Sequence, residues 1–149
     1  VDEARVCQLV YKWLNNNDYQ FQRLAPFTGR PRIEPPSRGA PYITPRMPDI
    51  VAKRRSQNYY FYIEAKGDPA TDEKLFTAIG QVVSCMVTTT PARYAMAFPV
   101  SFHRVLCDYL NYRVWKWLGI YVLLVQEQNP TVQEFKPTIP NLTMICTMP

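Results

Sequence analysis

The segment from Pro26 to Pro48 restricts the possible folds of this chain more than any other stretch. It holds seven of the fourteen prolines, together with Gly29 and Gly39. Proline lacks a backbone N–H and fixes φ, so a run this dense is excluded from helices and from central strands. It reads as one long, semi-rigid loop, of a length that is usually functional or disordered inside a compact domain. The core must be built from the flanking sequence. With 149 residues, 47% hydrophobic and 19% charged, enough chain remains for a single domain over residues 1–149. The longest apolar run, residues 119–125, is far below the ~20 residues of a membrane-spanning helix. No basic–apolar–small signal segment opens the sequence. The expectation is a globular, non-secreted protein with no membrane partner.

The proline-rich loop also begins a basic stretch. Arg30, Arg32, Arg38, Arg46, Lys53, Arg54 and Arg55 are opposed over the same span by Glu34 and Asp49, within a chain of formal net charge +5. Such a cluster is the electrostatic footprint of a phosphate-backbone binder, or else a solvated basic face. The four cysteines, Cys7, Cys85, Cys107 and Cys146, lack the short spacing of a zinc knuckle or redox pair. They are expected to be mostly buried free thiols, with metal ligation or disulfide bonding as the alternative, in a reducing, intracellular setting.

Apolar periodicity places the remaining elements. Residues 2–14 carry Val6, Leu9, Val10, Trp13 and Leu14 on one helical stripe, and Asn15-Asn16-Asn17-Asp18 stops it. Residues 19–27 form a strand. Asp49–Arg55 and Tyr59–Lys66 form a hairpin about Ser56-Gln57. Residues 72–87 form a helix with Leu75, Ile79, Val82, Val83 and Met86 buried, followed by a strand over 94–100. Ser101 caps a helix to about Trp117, whose stripe is Phe102, Val105, Leu106, Tyr109, Leu110 and Val114. Gly119 ends that helix, and residues 120–126 are a fully buried strand. The proline-containing tail, 128–149, is expected to be extended. The order α-β-β-β-α-β-α-β implies an α/β fold with one mixed sheet flanked by helices.

The hairpin carries the chemistry. A two-residue turn at Ser56-Gln57 pairs Arg55 with Asn58 and, stepping outward, Asp49 with Glu64, on the same face of the sheet. Lys66, two residues on, projects from that side as well. Facing carboxylates repel unless a cation lies between them, and Mg²⁺ takes one or two carboxylates plus waters and phosphate oxygens. Glu3 shares the apolar stripe of the first helix. It either joins such a metal site or compensates the helix dipole.

Pro48-Asp49, fourteen residues, then Glu64-Ala65-Lys66 resembles the signature of the PD-(D/E)XK nuclease superfamily. The resemblance implies a restriction-endonuclease-like αβββαβ(αβ) core over about residues 2–126. It further implies that Asp49, Glu64 and the Ala65 carbonyl hold Mg²⁺, with Mn²⁺ able to substitute, and that Glu3 matches the first-helix acid of many members. Lys66 would orient or deprotonate the attacking water, and Gln81 would match a helix glutamine that supports the site or touches nucleic acid. Cys85 stands where some subfamilies carry an aromatic residue. The implied activity is phosphodiester hydrolysis of DNA, as an endonuclease without organic cofactor, with a homodimer left open. A bound divalent ion would polarise the phosphate and lower the pKa of water, and the basic loop would add phosphate contacts that set register without reading bases.

Other residues have two readings. Tyr60 and Tyr62 either stack on a splayed base or pack under the first helix. Lys53, Arg54 and Arg55 either clamp DNA or form a charged edge that blocks strand pairing. His103, the single histidine, is taken as a surface or capping residue, and Trp115 and Trp117 as packing residues. The rival function is a PD-(D/E)XK-like nucleic-acid-binding module without turnover. A third reading treats the signature as accidental and the basic patch as a surface for RNA or protein.

Overall fold

A computed structural model describes residues 1–24, 48–54, 56–57, 59–86, 92–109 and 111–148. The elements are α1 (Glu3–Asn16), β1 (Tyr19–Leu24), β2 (Ile50–Arg54), β3 (Tyr60–Ala65), α2 (Asp72–Cys85), β4 (Ala92–Pro99), a 3₁₀ turn (Val100–Phe102), α3 (His103–Tyr109), α4 (Tyr112–Leu118), β5 (Ile120–Gln126), β6 (Thr131–Phe135) and α5 (Ile139–Ile145). One six-stranded mixed sheet runs β1-β2-β3-β4-β5-β6. Steps β3–β4 and β4–β5 are parallel and the other three are antiparallel.

Two parallel steps in the same direction, each with the usual right-handed crossover, place their helices on one face of a sheet. That is the arrangement here. Leu75, Ala78 and Val82 of α2, Leu106 of α3, Trp115 of α4, and Leu142 and Ile145 of α5 pack together on Met96, Phe98, Val122 and Leu124. The opposite face is covered by α1 through Val6, Leu9, Val10 and Leu14, which bury Ile50, Ala52, Phe61, Ile63 and Ala65. Full burial of each Val, Leu, Ile, Phe or Met among them contributes about 1.5–3 kcal/mol. Asp2 caps α1 by accepting from the Arg5 N–H. Beyond its end, Asp18 takes positive φ, which Asp tolerates better than most residues.

Several expectations are corrected. The helix expected from Ser101 to Trp117 is two helices. Asn111 interrupts it, its side-chain oxygen accepting from the backbone N–H groups of Arg113 and Val114 at 3.2 Å each, so a new N-terminus begins there. Substituting Ala at Asn111 should cost about 1 kcal/mol, read as the shift in a urea unfolding midpoint. Ser101 is not a cap; its hydroxyl donates to Asp68. The break rotates the second half, so Val114 is exposed and Trp115 is buried; Tyr109, at the end of the first half, is exposed as well. Trp117 is 84% exposed and does not pack.

On α2 the buried side is Leu75, Ala78, Gln81, Val82 and Cys85, while Val83 is exposed and Ile79 and Met86 are half-buried. The tail is not simply extended: it supplies edge strand β6 and helix α5, whose proline sits in the first helical turn, where its missing N–H costs nothing. Cys107 and Cys146 form a disulfide that ties α5 to α3, contrary to the expectation of thiols; Cys7 and Cys85 are not disulfide-bonded. Among the described residues, no helix is long and apolar enough to cross a membrane.

Candidate active site

The β2–β3 register is the one a Ser56-Gln57 turn dictates. Ile50 pairs with Ile63, Val51 with Tyr62, Ala52 with Phe61 and Lys53 with Tyr60. One further step sets Asp49 opposite Glu64. The Asp49 carboxylate turns onto the neighbouring strand, where its Oδ2 accepts from the Ala65 backbone N–H at 2.8 Å.

Side chains alternate along β3. Phe61, Ile63 and Ala65 belong to the layer under α1, so Glu64 points to the α2 side with its register partner Met96. Glu64 is only 2% exposed and Lys66 7%. Lys66 lies just beyond the end of β3, its backbone N–H bonded to the Ala97 carbonyl at 2.9 Å. Its Nζ donates to Glu64 Oε1 at 2.8 Å and to the Ala65 carbonyl at 2.9 Å. Glu3 Oε2 lies 3.7 Å away. Glu3 thus comes to the site as an exposed residue from the first turn of α1, not from the apolar stripe. Gly67 makes this approach possible, because the α1 N-terminus crosses directly over it and a Cβ there would strike backbone atoms of Asp2 and Glu3.

The carboxylates are felt by a thiol nearby. Burial pushes Cys7 up to about 12, the negative charges of Asp49, Glu3 and Glu64 add to the rise, and Lys66 opposes it. Gln81 is buried on α2, on the face of the sheet that Glu64 occupies, and its Oε1 has no hydrogen-bond partner among the described residues. An orphaned buried amide oxygen is uncommon.

The structure therefore brings Glu3, Asp49, Glu64, Ala65 and Lys66 to one end of β3. It does not bring Lys53 and Arg54 there. They sit at the far end of β2, about five residues or ~17 Å along the strand from Asp49. Nor do they guard an edge, because β2 is paired on both sides and the edges are β1 and β6. Arg30, Arg32, Arg38, Arg46 and Arg55, and with them most of the proline-rich loop, lie outside the described residues. Tyr60 and Tyr62 do not pack under α1; Phe61 does. Tyr62 stacks on Tyr94 with ring centroids 5.6 Å apart, on the other face.

A divalent ion would find the right class of donor here. Glu64 Oε1, the Ala65 carbonyl and Glu3 Oε2 are hard oxygen ligands of the kind Mg²⁺ takes, and they already gather about a cation, the Lys66 ammonium. Among the described residues, however, no three His, Cys, Asp or Glu side chains are grouped so as to hold a metal by themselves. The backbone carbonyl is needed as well.

A solved structure shares this fold. The crystal structure of an XisH family protein from Nostoc punctiforme matches with a TM-score of 0.54 and 11% sequence identity, over 86% of this chain and 95% of that one. At that identity the likeness concerns the fold alone. No protein-family model matches the chain, and no curated protein matches it.

Proposed function

We propose that this chain is a metal-dependent nuclease that hydrolyses phosphodiester bonds of DNA, built on a restriction-endonuclease-like core of the PD-(D/E)XK kind. The observation that carries this reading is the gathering of Glu64, the Ala65 carbonyl and Glu3 on the Lys66 ammonium, with Asp49 docked on the Ala65 amide. Glu3, Asp49, Glu64 and the Ala65 carbonyl would hold Mg²⁺ or Mn²⁺. When bound, the ion supplies Lewis acidity to the phosphate and acidity to a water molecule. Lys66 Nζ orients the attacking water and accepts its proton when deprotonated, and when protonated it offsets charge on the phosphate. Gln81 supports the site from α2.

Incubation of supercoiled and linear plasmid with Mg²⁺ or Mn²⁺ tests this. Wild type is expected to nick and linearise DNA. Asp49→Asn keeps an acceptor for the Ala65 N–H but removes the charge, so it should slow cleavage at least about a hundredfold, the scale for losing one group that stabilises the transition state. Equal cleavage by the two proteins would overturn the assignment.

One observation favours a second reading, a nucleic-acid-binding module without turnover. The Lys66 ammonium already satisfies Glu64, and the metal ligands are incomplete without a backbone carbonyl. Retention of DNA on wild-type protein with no cleavage in either metal would select it.

A further inference from the structure

The end of the sheet remote from Lys66 holds a second set of charged side chains. Arg54 closes β2, Arg93 opens β4, and Glu134 and Lys136 lie at the end of β6. With Asn17 and Tyr19 from the α1–β1 corner they line a pocket of about 120 Å³.

The arginines there are fixed in orientation by aromatic rings. The Arg93 guanidinium lies over Tyr59, 4.2 Å from its centroid, with the Tyr121 ring 5.7 Å away. Arg54 lies over Tyr19 at 5.8 Å. A guanidinium stacked by its face keeps its edge donors available. The Arg54 Nε is buried and has no hydrogen-bond partner among the described residues, although buried donors are nearly always paired. Neither Arg93 nor Lys136 makes an ion pair among the described residues. Asp18 draws on Arg54 electrostatically, as a lesser influence than the Tyr59 hydroxyl. Glu134 is the carboxylate in the lining. Three cations against it leave an excess of two positive charges among the lining residues.

We infer that this pocket binds a phosphate dianion, as a terminal monoester or as the free ion. Its donors arrive from the ends of three different strands, which suits a tetrahedral oxyanion; a planar carboxylate is satisfied by one arginine fork. The excess of two positive charges matches a monoester dianion. The volume admits the phosphate and leaves whatever carries it outside. The source is either the phosphorylated end of a nucleic acid or free inorganic phosphate, and the inference stands whether or not the Lys66 site cleaves DNA.

Lys136 is exposed, so Lys136→Gln removes a positive charge without opening the core, and circular dichroism confirms the fold. The probes are inorganic phosphate and one single-stranded oligonucleotide, with and without a 5′-phosphate, titrated by calorimetry at constant ionic strength. Wild type is expected to bind phosphate saturably, and Lys136→Gln at least tenfold more weakly. Preference for the 5′-phosphorylated strand, lost in Lys136→Gln, identifies a nucleic-acid end as the source. Equal binding of the two strands beside saturable phosphate binding identifies free phosphate. Absence of saturable phosphate binding, or undiminished binding by Lys136→Gln, overturns the inference.

Discussion

Lys66→Met is expected to lower the free energy of unfolding by about 3–5 kcal/mol, the range for removing one partner of a buried ion pair. The substitution keeps most of the side-chain length and removes the charge. Glu64 then stays enclosed in the protein without the ammonium that sits 2.8 Å from it, and Glu3 loses its neighbour at 3.7 Å. Because Glu3 is largely exposed, water screens its share, so nearly all of the loss comes from Glu64. Urea unfolding followed by circular dichroism reads the change directly. The double variant Lys66→Met/Glu64→Gln should recover most of it, since the buried negative charge goes too, and the resulting non-additivity measures the coupling. A single variant within about 0.5 kcal/mol of wild type, the scale of ordinary surface changes, would show that the pair is not the buried contact described above.

Gly67→Ala is expected to cost about 3 kcal/mol, at the upper end for overpacking. The added methyl meets main-chain atoms of Asp2 and Glu3, and main chain cannot rotate out of the way as a side chain can. The start of α1 must lift, straining the 2.7 Å hydrogen bond from the Asp68 N–H to the Val1 carbonyl and drawing Glu3 from Lys66. Gly80→Ala is the matched control. A Cβ there meets nothing within 4 Å, and in a helix interior the change should stabilise by about 0.5–1 kcal/mol. Guanidinium unfolding of both variants separates a steric effect at Gly67 from a general effect of replacing glycine.

The parts of the fold that could be read from sequence were those with a local cause. A two-residue turn leaves one choice of register, so the facing of Asp49 and Glu64 follows from Ser56-Gln57 alone. The stripe of α1 is long and regular enough to orient that helix without knowing its neighbours. Where several elements meet, hydrophobicity misleads. On α2 the large Val83 faces water while Ala78 lies against the core, because a small side chain lets a helix sit close on a sheet.

In α3 and α4 the apolar rhythm runs on across a break set by the capping chemistry of Asn111. The prolines of the tail read as helix breakers, although Pro140 occupies a first-turn position that tolerates proline. Nothing local could announce the Cys107–Cys146 bond, whose partners are 39 positions apart. The same limit applies to the site: the Glu64-x-Lys66 spacing is visible in the sequence, but the approach of Glu3 depends on α1 crossing Gly67.

The order of the sheet, in which every strand lies beside its neighbours in sequence, bears on how the protein is made. Domains assemble as the ribosome delivers them, N-terminal portion first. In this chain each newly delivered strand meets a partner already in place, and apart from the outer side of β1 the open row of backbone donors and acceptors belongs to the latest arrival. Among the described strands none waits for a distant one, and none must be inserted between two that have already paired. Unpaired edges invite association between chains. At each stage of synthesis, one such edge advances with the nascent chain until β6 and α5 are delivered.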